Sequence, residues 1–188
     1  PVTDLPDDYY YTTAISDSAV SFIRQQPTDA PMFLYVAYYA PHLPLQAPAD
    51  RVEKCKARYR VGYDVLRKQR FEKQKALGLV PAEMELPVYN REFGGKRPAW
   101  EELTDSQREQ WIQDMAMIEI MDDGVGQIVE AFREKGNLEN TVFLFLSDNG
   151  ATLEGGYLGQ LMADLSNTPY RSYKKWVYQG GTSTPFIM

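Results

Sequence analysis

The sequence predicts an α/β fold with a predominantly parallel mixed sheet flanked by helices. Two short and almost wholly apolar runs, residues 32–39 and 141–146, suit strands buried on both faces, as parallel sheets require. A long helical pattern over residues 104–135 lies between them, giving strand, helix and strand joined by long crossovers. The composition of the 188 residues, 44% apolar and 24% charged, fits one packed domain.

The elements follow in order. Thr12 or Thr13 can cap a first helix whose apolar positions Ile15, Ala19, Phe22 and Ile23 recur at helical spacing, and Pro27 closes it. The first strand, residues 32–39, ends in a loop forced by Pro41, Pro44 and Pro48. Residues 51–77 are charge-rich and helix-compatible, with Tyr59, Tyr63, Leu66 and Phe71 as a buried stripe. Pro and Gly then rise and periodicity disappears over residues 78–98, which read as a long surface excursion.

The helix over residues 104–135 opens with a capping box, Thr104 and Gln107, and buries Trp111, Met115, Ile118, Val125, Ile128 and Phe132. Gly136-Asn137 stops it, with Lys135 against the negative end of its dipole. The second strand, residues 141–146, ends in Ser147-Asp148-Asn149-Gly150.

Charge and cysteine content exclude several classes. Lys and Arg number 20 against 26 Asp and Glu, a net charge of −6, so nucleic acid is not the expected partner. The longest apolar stretch, residues 32–40, is far short of the ~20 residues that span a bilayer. Cys55 is the single cysteine, which excludes an internal disulfide or a paired-cysteine zinc site, and its charged neighbours mark it as a surface thiol. The chain begins at Pro1 without a signal-peptide pattern and stops within a strand-like Phe186-Ile187-Met188, so it reads as an internal piece of a longer polypeptide.

Ligands of open α/β sheets bind beyond the carboxyl ends of the strands, and two polar clusters occupy that position. The first strand is followed by His42, the only histidine, whose ring type can carry a proton to or from an oxygen near neutrality. The second is followed by Asp148 and Asn149, hard oxygen donors suited to calcium or magnesium, although Asp-Asn-Gly is also ordinary turn chemistry. A third cluster, Arg171-Ser172-Tyr173-Lys174-Lys175 before Gln179-Gly180-Gly181, reads either as an anion site or as a solvated basic turn. There is no Gly-x-Ser-x-Gly elbow, no phosphate loop and no His-Glu-x-x-His motif, and no nucleophile is visible.

Taken together, the motifs at residues 40–48, 117–126, 144–151 and 167–187 resemble, in order and interval, the middle-to-late part of a bacterial arylsulfatase catalytic domain, and the chain is identified as a member of the sulfatase family. The resemblance implies an alkaline-phosphatase-like core, here incomplete, over residues 1–188 of a single catalytic domain. It implies hydrolysis of a small-molecule or glycan sulfate ester with a calcium ion and a formylglycine. Asp148 and Asn149 look like two of the calcium ligands, His42 like the residue that contacts the sulfate or leaving-group oxygen, and Lys174 like the lysine that holds the sulfate.

Gln179 stands where the family usually has Glu, and Thr182-Ser183 replaces its commoner pairs. The family's paired aspartates, its Cys/Ser-x-Pro-x-Arg nucleophile segment and its carboxy-terminal subdomain have no counterpart here. The fragment alone is therefore expected to be inactive. A periplasmic or secreted location goes with the resemblance. Two rival readings stand beside it. One is a phosphodiesterase or phosphonate hydrolase of the same superfamily, which commonly uses further His and Asp around two metals. The other is a non-catalytic sulfatase-like binding protein. Specificity would lie in residues 78–98 and nearby, where Arg91, Lys96, Arg97 and Trp100 either touch a sulfated sugar or face water.

Overall fold

A computed structural model describes residues 4–27, 30–88 and 97–188. They form two compact units, Pro1–Cys55 with Ile112–Val142, and Lys56–Trp111 with Phe143–Met188.

In the first unit, α1 spans Tyr11–Gln25. Its N-cap is Tyr10 without a side-chain cap, and Thr12 lies inside the helix, buried, so the expected threonine cap is not formed. Ala19, Val20 and Ile23 are buried, whereas Phe22, expected in the stripe, is 59% exposed. Helix α4, Asp105–Glu134, contributes its residues from Ile112 onward to this unit. It ends in the motif anticipated: Gly136 is left-handed at φ 76°, the Asn137 N–H bonds the Phe132 carbonyl at 3.0 Å and the Gly136 N–H that of Arg133 at 2.9 Å. Lys135, expected to serve its own helix, donates instead to the last carbonyls of α1, Ile23 at 2.8 Å and Gln26.

Residues 32–39 differ from expectation. They carry no ladder among the described residues, and their side chains alternate between half-buried (Met32, Leu34, Val36, Tyr38) and exposed (Phe33, Tyr35, Ala37, Tyr39). This is the period of a strand, but with one face covered instead of two. The half-buried face meets α1 through Tyr38, whose hydroxyl lies 2.8 Å from Ser16 Oγ; the other leaves Phe33 94% exposed. Cys55 also differs from the surface thiol expected. It lies in α2, Ala49–Tyr59, is 1% exposed, and its thiol donates to Glu119 Oε2 at 3.3 Å.

In the second unit, the helical stretch after residue 50 resumes as α3, Tyr63–Ala76, after a break at Gly62. Gly62 has φ 83° and faces the Trp100 side chain, which leaves no space for a Cβ. Tyr63 and Phe71 are buried, as the stripe requires. The first turns of α4 carry the expected capping box: the Thr104 N–H bonds Gln107 Oε1 at 2.8 Å, and the Gln107 N–H bonds Thr104 Oγ1 at 3.3 Å. Trp111, fully buried, packs edge-on against Trp100 at 5.5 Å and Tyr59 at 6.2 Å.

Helix α5, Gly156–Ser166, packs on α3. Three polar side chains of α3 hold its carboxyl end. Arg67 Nε bonds Thr168 Oγ1 at 3.0 Å, Gln74 Nε2 bonds the Thr168 carbonyl at 2.9 Å, and Arg70 bonds that of Ser166 at 3.2 Å. A one-turn α6, Gln179–Thr182, follows. The only ladder among the described residues is antiparallel, β1 (Phe145–Leu146) with β2 (Phe186–Ile187). The second expected strand is therefore trimmed to its last two residues, and the parallel sheet expected from the sequence is not seen among the described residues.

Candidate functional site

The predicted site residues fall in both units. In the first, His42 sits on an exposed loop that folds on itself. Its backbone N–H bonds the Tyr39 carbonyl at 3.0 Å, and its ring lies 5.2 Å from that of Tyr39. The ring Nδ1 stands 2.8 Å from the Leu43 carbonyl oxygen. A carbonyl can only accept, so Nδ1 carries the proton and Nε2 is the nitrogen left to meet another group.

In the second unit, Asp148 and Asn149 lie in the loop after β1, the carboxylate exposed and the amide half-buried. Ser147 Oγ bonds the Asn149 carbonyl at 2.9 Å, which shapes the turn and leaves both side-chain oxygens without a protein partner among the described residues. These donors fit calcium in kind, being hard oxygens, but two fall short of the six to eight such an ion takes. No group of three or more His, Cys, Asp or Glu able to hold a metal occurs among the described residues.

The lysine loop is packed against this turn. The Lys174 N–H bonds the Ala151 carbonyl at 2.9 Å, and the Gly150 N–H bonds that of Gly181 at 3.4 Å. A Cβ on Gly150 would overlap the Gly180 carbonyl, and one on Gly180 would overlap that of Ser172, so three loop segments, the Asp148 turn, the lysine loop and the turn that forms α6, meet backbone to backbone. Two non-glycine residues in the loop adopt left-handed backbone, Ser172 at φ 67° and Lys175 at φ 83°. They bracket Tyr173 and Lys174, and such strain persists only where surrounding contacts enforce it.

The three cations differ in surroundings. The Arg171 guanidinium stacks on the Tyr178 ring at 4.2 Å, Lys175 is exposed, and Lys174 is half-buried beside the Asp148 loop.

Several residues that organise the site were not legible in the sequence. Tyr173, 1% exposed, donates to Asp164 in α5, and Asp164 pairs with Arg97 Nε at 2.8 Å. Burial, followed by the bond to Asp164, pushes the Tyr173 phenol up to about 12, so it stays a donor. Asn167, the C-cap of α5, bonds all three loops. Arg97 and Trp100, read as contacts for a sugar or for water, are an ion-pair partner and a core aromatic; Arg91 and Lys96 lie outside the described residues.

A family model described as Sulfatase matches residues 2–188. An arylsulfatase of Klebsiella aerogenes is 32% identical over 216 residues, covering 98% of this chain and 46% of that protein. An uncharacterised sulfatase of Schizosaccharomyces pombe is 32% identical over 184 residues, covering 96% of this chain and 32% of that protein. The chain thus spans less than half the length of these relatives. A crystal structure of Ps i-CgsB in complex with k-i-k-neocarrahexaose superposes with a TM-score of 0.56 at 24% identity, over 98% of this chain and 29% of that one, a likeness of fold.

Proposed function

The chain belongs to the sulfatase family, a family of sulfuric ester hydrolases, and from that premise we propose that the protein containing it hydrolyses a small-molecule or glycan sulfate ester in the manner of an arylsulfatase. The observation that carries this reading is the 2.9 Å bond from the Lys174 N–H to the Ala151 carbonyl. It ties the loop bearing an ammonium group to the loop bearing two oxygen donors that have no protein partner among the described residues, the pairing a bound sulfuryl group and its metal need. Residues 1–188 then form the middle-to-late part of one catalytic domain. The uncovered apolar face of residues 32–39, together with edges that carry no ladder among the described residues, leaves room for a covering layer and neighbouring strands, as a predominantly parallel sheet in a complete alkaline-phosphatase-like core would supply. A periplasmic or secreted location goes with the same reading.

Each residue type has a role that its surroundings allow. Lys174 holds the sulfate and neutralises charge that grows on the sulfuryl oxygens. His42, anchored through Nδ1, directs Nε2 outward, where in its protonated form it hands a proton to the departing alcohol oxygen. Asp148 and Asn149 supply two oxygens to a calcium ion whose other ligands come from elsewhere in the polypeptide. Calcium, when bound, draws negative charge off the sulfuryl oxygens. Under this reading a formylglycine supplied from outside residues 1–188 would be the nucleophile, and the residues described here bind, orient and protonate.

The test is steady-state hydrolysis of an aryl sulfate by the complete protein. His42→Ala is expected to lower kcat/KM by about 10²–10⁴ and Lys174→Ala by about 10²–10³, both with unchanged far-UV circular dichroism. Near-wild-type turnover in either variant removes that residue from the mechanism.

A further inference from the structure

One side chain joins the three loops of the second unit. Asn167 Nδ2 donates to the Ser172 carbonyl and to the Gly180 carbonyl, both at 2.9 Å, and its Oδ1 accepts from the Ala151 N–H at 3.2 Å. Both amide hydrogens are thereby used, together with one lone pair of the carbonyl oxygen. The bonded groups sit beside the proposed machinery: Ala151 two residues after Asn149, Ser172 two before Lys174, and Gly180 against Gly150.

The side chain also stands on a fixed base. Asn167 is the C-cap of α5, and its own N–H bonds the Ala163 carbonyl at 2.9 Å. The residues on either side of it, Ser166 and Thr168, are gripped from α3 by Arg67, Arg70 and Gln74. A rigid element therefore aims one bifunctional amide at three loops that no regular ladder connects, which is how precise placement is obtained from loops.

We infer that Asn167 is a positioning residue that sets the register of Lys174 against the Asp148–Asn149 pair. The inference rests on the roles proposed above for those three residues. Neither Asp nor Ala serves in its place. Asp keeps the acceptor for Ala151 but sets a carboxylate against two carbonyl oxygens, and Ala leaves three main-chain groups unbonded.

The experiment compares Asn167→Asp, Asn167→Ala and Lys174→Ala in the complete protein, with rates normalised to folded enzyme. Asn167→Asp is expected to raise KM for an aryl sulfate, Ki for inorganic sulfate and the half-saturating calcium concentration, each by about tenfold to a hundredfold. Added to Lys174→Ala, it should raise KM and Ki no further, because it acts through that lysine. If Asn167→Asp and Asn167→Ala lower only the melting temperature or the folded yield, while KM, Ki and the calcium midpoint stay at wild type, the positioning role is overturned and the sulfatase reading stands. If Lys174→Ala itself retains wild-type KM and turnover, the reading beneath the inference falls and the inference with it.

Discussion

The loop that carries His42 and the loops that carry Lys174 are built on opposite principles. Around His42 the polar contacts close over a few residues: the ring bonds the next residue's carbonyl and the Tyr39 hydroxyl bonds a carbonyl four positions on. Around Lys174 the contacts reach across the unit, with Asn167 bonding groups 16 and 13 positions away. A short turn closes at little entropic cost, and residues 39–43 are held by these local bonds; the loop's distant anchor is at Gln46, whose carbonyl accepts from the Tyr10 hydroxyl at 2.8 Å. The lysine loops hold their shape only while α3, α5 and the glycine contacts are intact, so their geometry is a property of the folded unit. An imidazole on a local loop tolerates change around it, whereas the ammonium and the paired oxygens stand or fall together.

Substitutions at Gly180 and Tyr39 test that contrast, a third reads the helix α4 in the histidine's unit, and the largest effect is expected at Gly180. Its Cβ position is filled by the Ser172 carbonyl, main chain that cannot swing aside, so Gly180→Ala should destabilise by about 3 kcal/mol, near the top of the usual range for one substitution. Urea unfolding of the complete protein should show the loss, with the half-saturating calcium concentration rising. A midpoint within error of wild type would break the contrast.

Next comes Asp114 of α4, in the unit that holds His42. It is 6% exposed, and burial raises its carboxyl from 3.8 to about 7. A folded-state value above the unfolded one means that its contribution is fully present below the unfolded value and is lost as pH rises through about 7. Asp114→Asn, uncharged at every pH, should therefore gain on wild type between pH 5 and 8 by on the order of 2 kcal/mol. Melting curves of both proteins across that interval check it; parallel curves would show that Asp114 titrates as an ordinary carboxyl.

The smallest change is expected from Tyr39→Phe, which removes one exposed hydroxyl-to-carbonyl bond. It should cost about 1 kcal/mol or less and leave kcat/KM for an aryl sulfate close to wild type, since the His42 ring keeps its own bond to Leu43. A loss as large as that of Gly180→Ala would show that the histidine loop is not self-contained.

How much could be read beforehand follows the same division. The capping box at Thr104 and Gln107 and the Gly136 stop were legible because they are made by residues within one turn of each other. The family was legible because motifs at residues 40–48, 117–126, 144–151 and 167–187 recur in order. Cys55 was misread because charged neighbours in sequence do not reveal what packs on its side of α2, where Glu119, 64 positions away, accepts from its thiol. The second face of residues 32–39 was assigned cover by composition alone, and composition does not say what lies opposite. Trp100 looked like a surface aromatic until Tyr63 and Trp111 were seen around it.

Local chemistry, then, was determined by the sequence itself: the start and stop of α4, the oxygen pair after residues 141–146, the single imidazole after residues 32–39, and the lysine five residues before Gln179-Gly180-Gly181. Tertiary structure alone decided which lysine is half-buried, which glycines have no room for a Cβ, and that Asn167 ties three loops. Caps and turns are settled by forces acting over a few residues, and those are written in adjacent letters. A side chain that bonds groups many positions away acquires its role only when the chain has folded and brought them within 3 Å or so.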